Sequence, residues 1–180
     1  MRSQPTAASL ALLLTVACPA QAAVIDAGSG GFTVRHALTI DAPRDEVYRI
    51  AVEEVGKWWS SDHTVSKDAA NLRIDTGVPG CFCETLGGDA GLVHLFVTFV
   101  NPGVMLRFTG GLGPLGLMGV NGNMTWEFED RDDGTAVTLH YALGGYRPGG
   151  LDSMAEPVDA VLVEQMERLK HYVEQDAESR

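Results

Sequence analysis

Two cysteines one residue apart, Cys81 and Cys83, followed at once by Glu84, are the densest chemistry in this 180-residue chain. Residues at i and i+2 share one face of a strand. A hairpin closed by the turn from Gly87 to Ala90 sets Leu86 against Gly91, Cys83 against His94 and Cys81 against Phe96. In that register two thiols and an imidazole meet on one face. Three soft ligands fall short of the four that structural zinc takes, whereas Cu(I) is satisfied by fewer thiolates. The same pair also reads as packed thiols or, in an oxidising compartment, as a local disulfide. A slip of one residue sends His94 to the other face and dissolves the cluster.

The opposite face of that hairpin carries Phe82, Glu84, Leu86, Val93, Leu95, Val97 and Phe99, and a turn at Asn101-Pro102 aligns Val104, Leu106 and Phe108 with them. This apolar set is expected to line the interior. Glu84 is then a carboxylate among hydrophobic side chains, where desolvation raises a carboxyl pKa and an unpaired charge is costly. Such a group is either paired structurally or works as an acid, base or ligand anchor. His36, on the apolar face of an earlier alternating run, poses the same choice. Glu84 and His36 together are the candidate catalytic couple. Trp58 and Trp59 divide naturally into one indole packed in the core and one at a ligand entrance. With Trp126, Phe82, Phe99, Leu106 and Phe108 they complete the expected ligand-contacting set.

Two motifs can be set aside. Gly111-Leu112-Gly113-Pro114-Leu115-Gly116 has the letters of a dinucleotide fingerprint, but it leads into a strand, not a helix, and holds a proline, so it makes no phosphate cradle. It reads as an apolar Gly-rich loop, either a lid or a plain connection. Gly-x-Ser-x-Gly is missing, and Ser60, Ser61 and Ser66 stand outside any strand-to-helix elbow. His171, beside Lys170 and Glu174, belongs to a solvated helix face. No cofactor is expected.

The elements that must position these residues follow from periodicity. Phe32, Val34, His36, Leu38 and Ile40 alternate with Thr33, Arg35, Ala37 and Thr39, which predicts a half-buried strand. Asp41-Ala42-Pro43 supplies an N-cap candidate and a first-turn proline, and Val47, Ile50, Ala51 and Val55 continue at helical spacing to an end by Gly56, with a short turn at Lys57-Trp58-Trp59. Six short strands follow, at 71–75, 80–86, 92–100, 104–109, 120–129 and 135–143, separated by Gly, Pro, Asn and Asp turns. After Pro157, Val158, Val161, Leu162, Met166, Leu169 and Val173 form one stripe of a long amphipathic helix. The order predicts an α+β fold, a curved antiparallel sheet of about seven strands wrapped on the C-terminal helix. The domain is expected over 32–178, preceded by a flexible Gly-rich leader at 23–31.

Residues 1–22 are expected to be a signal peptide. Arg2 precedes an apolar stretch from Ala7 to Ala17, and Ala20-Gln21-Ala22 offers a small-residue cleavage site. The stretch is too short to span a bilayer, which takes roughly 20 residues. Thr15-Val16-Ala17-Cys18 loosely matches a lipoprotein box, but Thr15 stands where leucine is wanted, so cleavage near Ala22 is the preferred reading over acylation at Cys18. Cleavage leaves 12 basic against 24 acidic residues, a net charge of −12. Such a surface repels nucleic acid and anionic membrane. The expected site of action is the periplasm or the exterior.

The order of elements resembles the START-like helix-grip fold of the SRPBCC superfamily, which includes polyketide cyclases, the birch-pollen allergen family and activators of a heat-shock chaperone ATPase. Ile40-Asp41-Ala42-Pro43 with Val47-Tyr48 is similar to that superfamily's opening. Trp58-Trp59 with Asp62-His63-Thr64, the run Gly80-Cys81-Phe82-Cys83-Glu84, and Leu106-Arg107-Phe108 before Gly113-Pro114-Leu115-Gly116 resemble an exported bacterial branch of it. The resemblance implies an apolar cavity between sheet and long helix for a lipid, polyketide or other hydrophobic small molecule. Binding is the leading expectation. A cyclase or dehydrase using Glu84 and His36 is the second, and a thiol metal or redox protein using Cys81, Cys83 and His94 the third.

Overall fold

A computed structural model of the protein describes residues 23–178, so the expected signal peptide lies outside the described residues. Strand β2 (Gly31–Ile40) buries Phe32, Val34, His36 and Ile40 as the alternation predicts. The helical run divides into α1 (Arg44–Glu53) and a single turn, α2 (Val55–Trp58). Six further strands follow: β3 (Leu72–Asp75), β4 (Gly80–Gly87), β5 (Ala90–Asn101), β6 (Met105–Thr109), β7 (Gly119–Arg131) and β8 (Gly134–Tyr146). The chain closes with α3 (Ala155–Glu178). Pro157 sits in its first turn, where its missing N–H would have had no intrahelical partner. Leu162, Met166, Leu169 and Val173 are buried as the stripe requires.

Together with β1 (Ala23–Gly28) the strands form one antiparallel sheet, ordered β1-β2-β8-β7-β6-β5-β4-β3. With α3 against the sheet, this is the α+β helix-grip architecture. The sheet has eight strands because β1 (Ala23–Gly28) occupies the segment expected as a flexible leader. It pairs antiparallel with β2, from Ala23 opposite Arg35 to Gly28 opposite Gly31. Without it β2 would present a free edge of N–H and C=O groups, and backbone pairing to such an edge asks for no apolar alternation. The intervening turn is tied down by Leu151 N–H to Ser29 O and Gly145 N–H to Gly30 O, both 3.1 Å.

Asp41 does not cap α1. Pro43 takes the N-cap position with no side-chain bond, and the Asp41 N–H donates instead to Glu174 on α3 at 3.2 Å.

Curvature comes from irregularities in β5. The β4–β5 register runs Cys81 to Phe96 and Phe82 to Leu95, then jumps to Cys83 opposite Val93. His94 is the extra residue of a bulge, and a second shift falls between Val97 and Phe99 at Thr98. A bulge breaks the two-residue alternation, bends the strand and increases its twist. Side-chain directions beyond each bulge therefore reverse relative to a regular ladder. His94 and Leu95, adjacent in sequence, are both buried. Val93 and Phe99, expected inside, are 42% and 40% exposed, and Leu86 and Val104 are exposed as well. Phe99 packs under the Arg107 guanidinium, 5.4 Å from its ring centre, on the outer face.

Candidate functional site

Between α3 and the β4–β5 end of the sheet lies a cavity of about 370 Å³. Phe82 and His94 supply its sheet wall, Trp59 and Leu72 its inner end, Val161 and Leu162 the helix side, and Leu112 and Leu115 the loop that covers it. Asp62, His63, Thr64 and Lys67 bring polar groups to the wall.

The 60–68 segment is held from two sides. Its start is fastened to α3, with Ser60 N–H donating to Gln165 Oε1 at 2.8 Å and Arg168 Nε donating to the Trp58 carbonyl at 2.9 Å. Its middle is fastened to β4 by Glu84, which accepts from Val65 N–H at 3.0 Å and from Ser66 N–H. Trp59 Nε1 donates to the His63 carbonyl at 3.3 Å, and His63 meets Glu164 of α3 at 3.1 Å.

Glu84 is 1% exposed. Its Oε2 also lies 2.9 Å from His94 Nε2. Burial works to raise its pKa, but the donors of Ser66, Val65 and His94 outweigh burial and bring it down to about 2. The carboxylate is therefore ionised and fully engaged, and it sits behind the cavity wall instead of pointing into the space. The sequence reading of Glu84 as buried was right, but its partner is His94, the residue assigned there to the cysteines.

That cysteine cluster does not form. Cys81 and Cys83 are joined as a disulfide, and the bulge turns His94 to the opposite face. Among the described residues no group of three or more His, Cys, Asp and Glu side chains is arranged to hold a metal.

His36 lies elsewhere. Its Nε2 is 3.0 Å from Asp159 Oδ1 of α3. Burial holds the imidazole below its ordinary pKa, against the opposing pull of the Asp159 carboxylate. Four strands separate β2 from β4 in the sheet, so His36 and Glu84 are not brought together as an acid–base couple, and His36 is not part of the cavity wall.

The aromatic set also divides. Trp59 and Phe82 meet edge to face in the wall, with ring centres 5.1 Å apart. Trp58 is core, its Nε1 donating to the Ile50 carbonyl at 3.3 Å. Trp126 packs against Trp58 and Phe108. Leu106 and Phe108 are fully buried beneath the sheet's concave surface and do not reach the cavity. Leu72, Leu112, Leu115, Met154, Val161 and Leu162 do reach it and escaped the sequence reading. Val161 and Leu162 stood on the predicted helical stripe, and Leu112 and Leu115 in the Gly-rich run, but nothing local marks which apolar residues surround a space and which fill one.

The Gly111–Gly116 run is a cover. It folds into a short helical turn at Gly113–Leu117, with Leu115 buried. A Cβ on Gly111 would lie 2.7 Å from the Leu115 carbonyl carbon, so the turn closes backbone on backbone. Tyr141 of β8 anchors its base by accepting from Leu112 N–H at 3.1 Å and donating to the Gly110 carbonyl at 3.0 Å. Tyr141→Phe removes one oxygen and orphans the Leu112 N–H, while the Gly110 carbonyl keeps the Gly122 N–H at 3.1 Å. It is expected to cost about 1–3 kcal/mol and to speed amide exchange at Leu112 more than in the sheet, measured by hydrogen exchange with mass spectrometry.

The sequence from residue 31 to residue 174 matches the family described as polyketide cyclase / dehydrase and lipid transport. The chain belongs to that family. Solved structures share the family's fold. Protein CV1439 from Chromobacterium violaceum is 17% identical with a TM-score of 0.56, over 79% of this chain and 96% of that one. Protein NE0264 from Nitrosomonas europaea is 15% identical with a TM-score of 0.56, over 80% and 95%. CalU16 from Micromonospora echinospora is 14% identical with a TM-score of 0.52, over 79% and 74%. At these identities the likeness establishes the fold alone. Among curated proteins none matches the sequence. The family description spans enzymes and carriers, so the site itself must decide between them.

Proposed function

We propose that this protein is an exported binding protein for a hydrophobic small molecule, held in the cavity between α3 and the β4–β5 hairpin. The observation that carries the reading is the cavity itself: about 370 Å³, walled by Trp59, Phe82, Leu115, Val161 and Leu162. Ligand sites run from roughly 300 to 1,000 Å³ and are mostly apolar with a few placed polar groups. The volume is at the small end, which suits a molecule of a few rings or a short chain better than a two-chain lipid. The cyclase reading built on Glu84 and His36 draws no support from their separation.

Export rests on the signal-peptide pattern of residues 1–22, and cleavage after Ala22 leaves β1 whole. The Cys81–Cys83 bond supports it, because disulfides persist in oxidising compartments. Among the described residues no helix is long and apolar enough to cross a membrane.

Titration with N-phenyl-1-naphthylamine, a neutral apolar fluorophore, tests the binding reading. Saturable one-site enhancement is expected for the wild type. Val161→Trp, which fills the space from the helix side, is expected to weaken it at least ~10-fold, the equivalent of about 1.4 kcal/mol, with the circular dichroism spectrum retained. Absence of saturable binding, or equal binding by a folded Val161→Trp variant, overturns the proposal.

A further inference from the structure

The Cys81–Cys83 bond joins no two elements of the fold. Both cysteines lie on β4, and the positions from Cys81 to Glu84 are already paired with β3 on one side and β5 on the other. A disulfide stabilises a protein chiefly by removing loop entropy from the unfolded chain, and the gain grows with the length of the loop. A loop with one residue between the cysteines gains the least. Cys18, the third cysteine, falls in the expected signal peptide, so the mature chain keeps two cysteines and commits both to a bond with little to hold.

The surroundings of the bond favour chemistry. Phe82, between the cysteines, belongs to the cavity wall, so the two cysteine side chains project from the outer face of the sheet. Cys81 is half-buried and Cys83 is buried. Opposite them on β5 stand Phe96 and Val93, 54% and 42% exposed, so the bond borders solvent-open surface. On β3, Arg73 is opposite Cys83 and Asp75 is opposite Cys81. Side chains directly opposite one another in a ladder are neighbours. Arg73 Nη1 also donates to Thr85 Oγ1 at 3.5 Å, and Thr85 is the next outward residue of β4 after Cys83, so the guanidinium lies along the same face. A nearby cation favours a thiolate and a nearby anion opposes one. Cys83 is therefore the better leaving sulfur, and Cys81, the more accessible of the two, is the one attacked.

We infer that the Cys81–Cys83 bond is a thiol-oxidising site on the face of the sheet away from the cavity, and that its substrates are thiols, carried by small molecules or by the cysteines of another protein. A substrate thiolate attacks Cys81 Sγ and forms a mixed disulfide. The bond between the two cysteine sulfurs breaks, and its electron pair leaves on Cys83 Sγ beside Arg73. A second substrate thiolate attacks the substrate sulfur of the mixed disulfide, and Cys81 leaves as a thiolate. The protons given up by the two substrate thiols end on the two cysteines. The substrates become a disulfide and the protein a dithiol, with two electrons transferred. A disulfide compound such as oxidised glutathione reverses these steps and restores the bond. The activity is independent of the binding reading and draws on export only for the oxidising surroundings that restore it.

The test incubates the mature protein in a glutathione buffer in which folded ribonuclease A keeps its disulfides, then quenches with acid, alkylates free thiols and weighs the protein by mass spectrometry. The expected result is a Cys81–Cys83 dithiol with the circular dichroism spectrum retained. Of the single variants, Cys83→Ser, which leaves Cys81 free, is expected to react with 5,5′-dithiobis(2-nitrobenzoate) at least ~10-fold faster than Cys81→Ser. Arg73→Gln is expected to slow reduction of the bond about 3-fold, and Arg73→Lys to restore the rate. Reduced glutathione and reduced, unfolded ribonuclease A, offered separately as substrates, distinguish a small thiol from a protein cysteine by which is oxidised faster. A bond that stays oxidised alongside those of ribonuclease A, a reduced protein that unfolds, or equal reactivity of the two single variants overturns the inference. An Arg73→Gln variant reduced as fast as the wild type overturns the part given to Arg73. The first measurement needs no variant, so a substitution that does not fold leaves the inference open to refutation, and none of these outcomes bears on the fluorophore titration.

Discussion

Glu84→Ala is expected to destabilise the protein by about 3–5 kcal/mol at neutral pH, the cost of breaking a buried charged network by removing one partner. Three donors lose their acceptor at once: Val65 N–H, Ser66 N–H and His94 Nε2. They belong to a loop and to β5, both joined to β4 through this one carboxylate, so the loss falls on the junction between β4 and the segment bordering the cavity. The effect is pH-dependent with a definite sign. The Glu84 carboxyl is held at about 2 in the folded protein, below its ordinary value of 4.5. The stability it contributes is therefore complete above about pH 4.5 and is lost progressively as the pH falls toward 2. A displacement of that size corresponds to about 3 kcal/mol. Urea unfolding of wild type and variant at pH 7 and at pH 3 measures it. The gap between the two proteins should narrow on acidification, and a gap that is constant across this range would show that the charge on Glu84 contributes nothing.

Phe82→Ala is expected to cost about 3–5 kcal/mol, the usual range for emptying a buried aromatic site. The upper half of the range is the better expectation, because the neighbours cannot collapse into the space. Trp59 is pinned through its indole N–H to the His63 carbonyl, and His94 is pinned by Glu84. On the other side Phe82 is bracketed by the Cys81–Cys83 bridge, which restricts the strand from closing inward. Each kcal/mol lowers the melting temperature of a domain this size by roughly 2–4 °C, so a loss of about 10 °C is expected in calorimetry. The same substitution enlarges the cavity. A three-ring probe too large for the wild type should bind the variant, and partial recovery of the melting temperature in its presence is the second readout. Phe82→Leu, which retains most of the volume, should show less than half of both effects.

Both variants strike the pair of strands on which sequence and structure differ most. The contents of β4 and β5 were legible: an alternating run with Phe82 inward, a carboxylate buried beside it, and a hairpin turn of Gly87, Gly88 and Asp89. The register was legible only as far as Phe82 opposite Leu95. Beyond that point a single inserted residue, His94, reverses the facing of everything up to the turn. It converts Val93 from wall to surface and His94 from a neighbour of the cysteines to a neighbour of Glu84. A second inserted residue, Thr98, does the same to Phe99. No residue type marks these positions. A bulge is stabilised by what the bend allows elsewhere, in this case closure of the sheet around α3 and the acceptance of Val65 and Ser66 by Glu84. Those partners are 18 and 19 residues away in sequence.

The His36 case has the same physical origin. Periodicity placed His36 on the buried face of β2 correctly, and burial alone made it resemble a functional group. Its environment was decided by the helix that crosses that strand more than a hundred residues later, where Asp159 meets the ring at 3.0 Å. The segment 23–28 shows the converse: a strand with no apolar alternation, held by backbone pairing to an edge whose existence depends on the completed sheet.

The sequence by itself determined the α+β composition, the α3 stripe, the alternating strands, the Gly-rich loop and the burial of Glu84 and His36, because each of these is encoded in spacing along a few consecutive residues. The tertiary structure alone decided which buried polar groups are partners, which apolar residues enclose space, and which side of β5 faces the cavity. Those depend on register and curvature, which are properties of the closed sheet and the helix it grips, with no counterpart in any short stretch of chain.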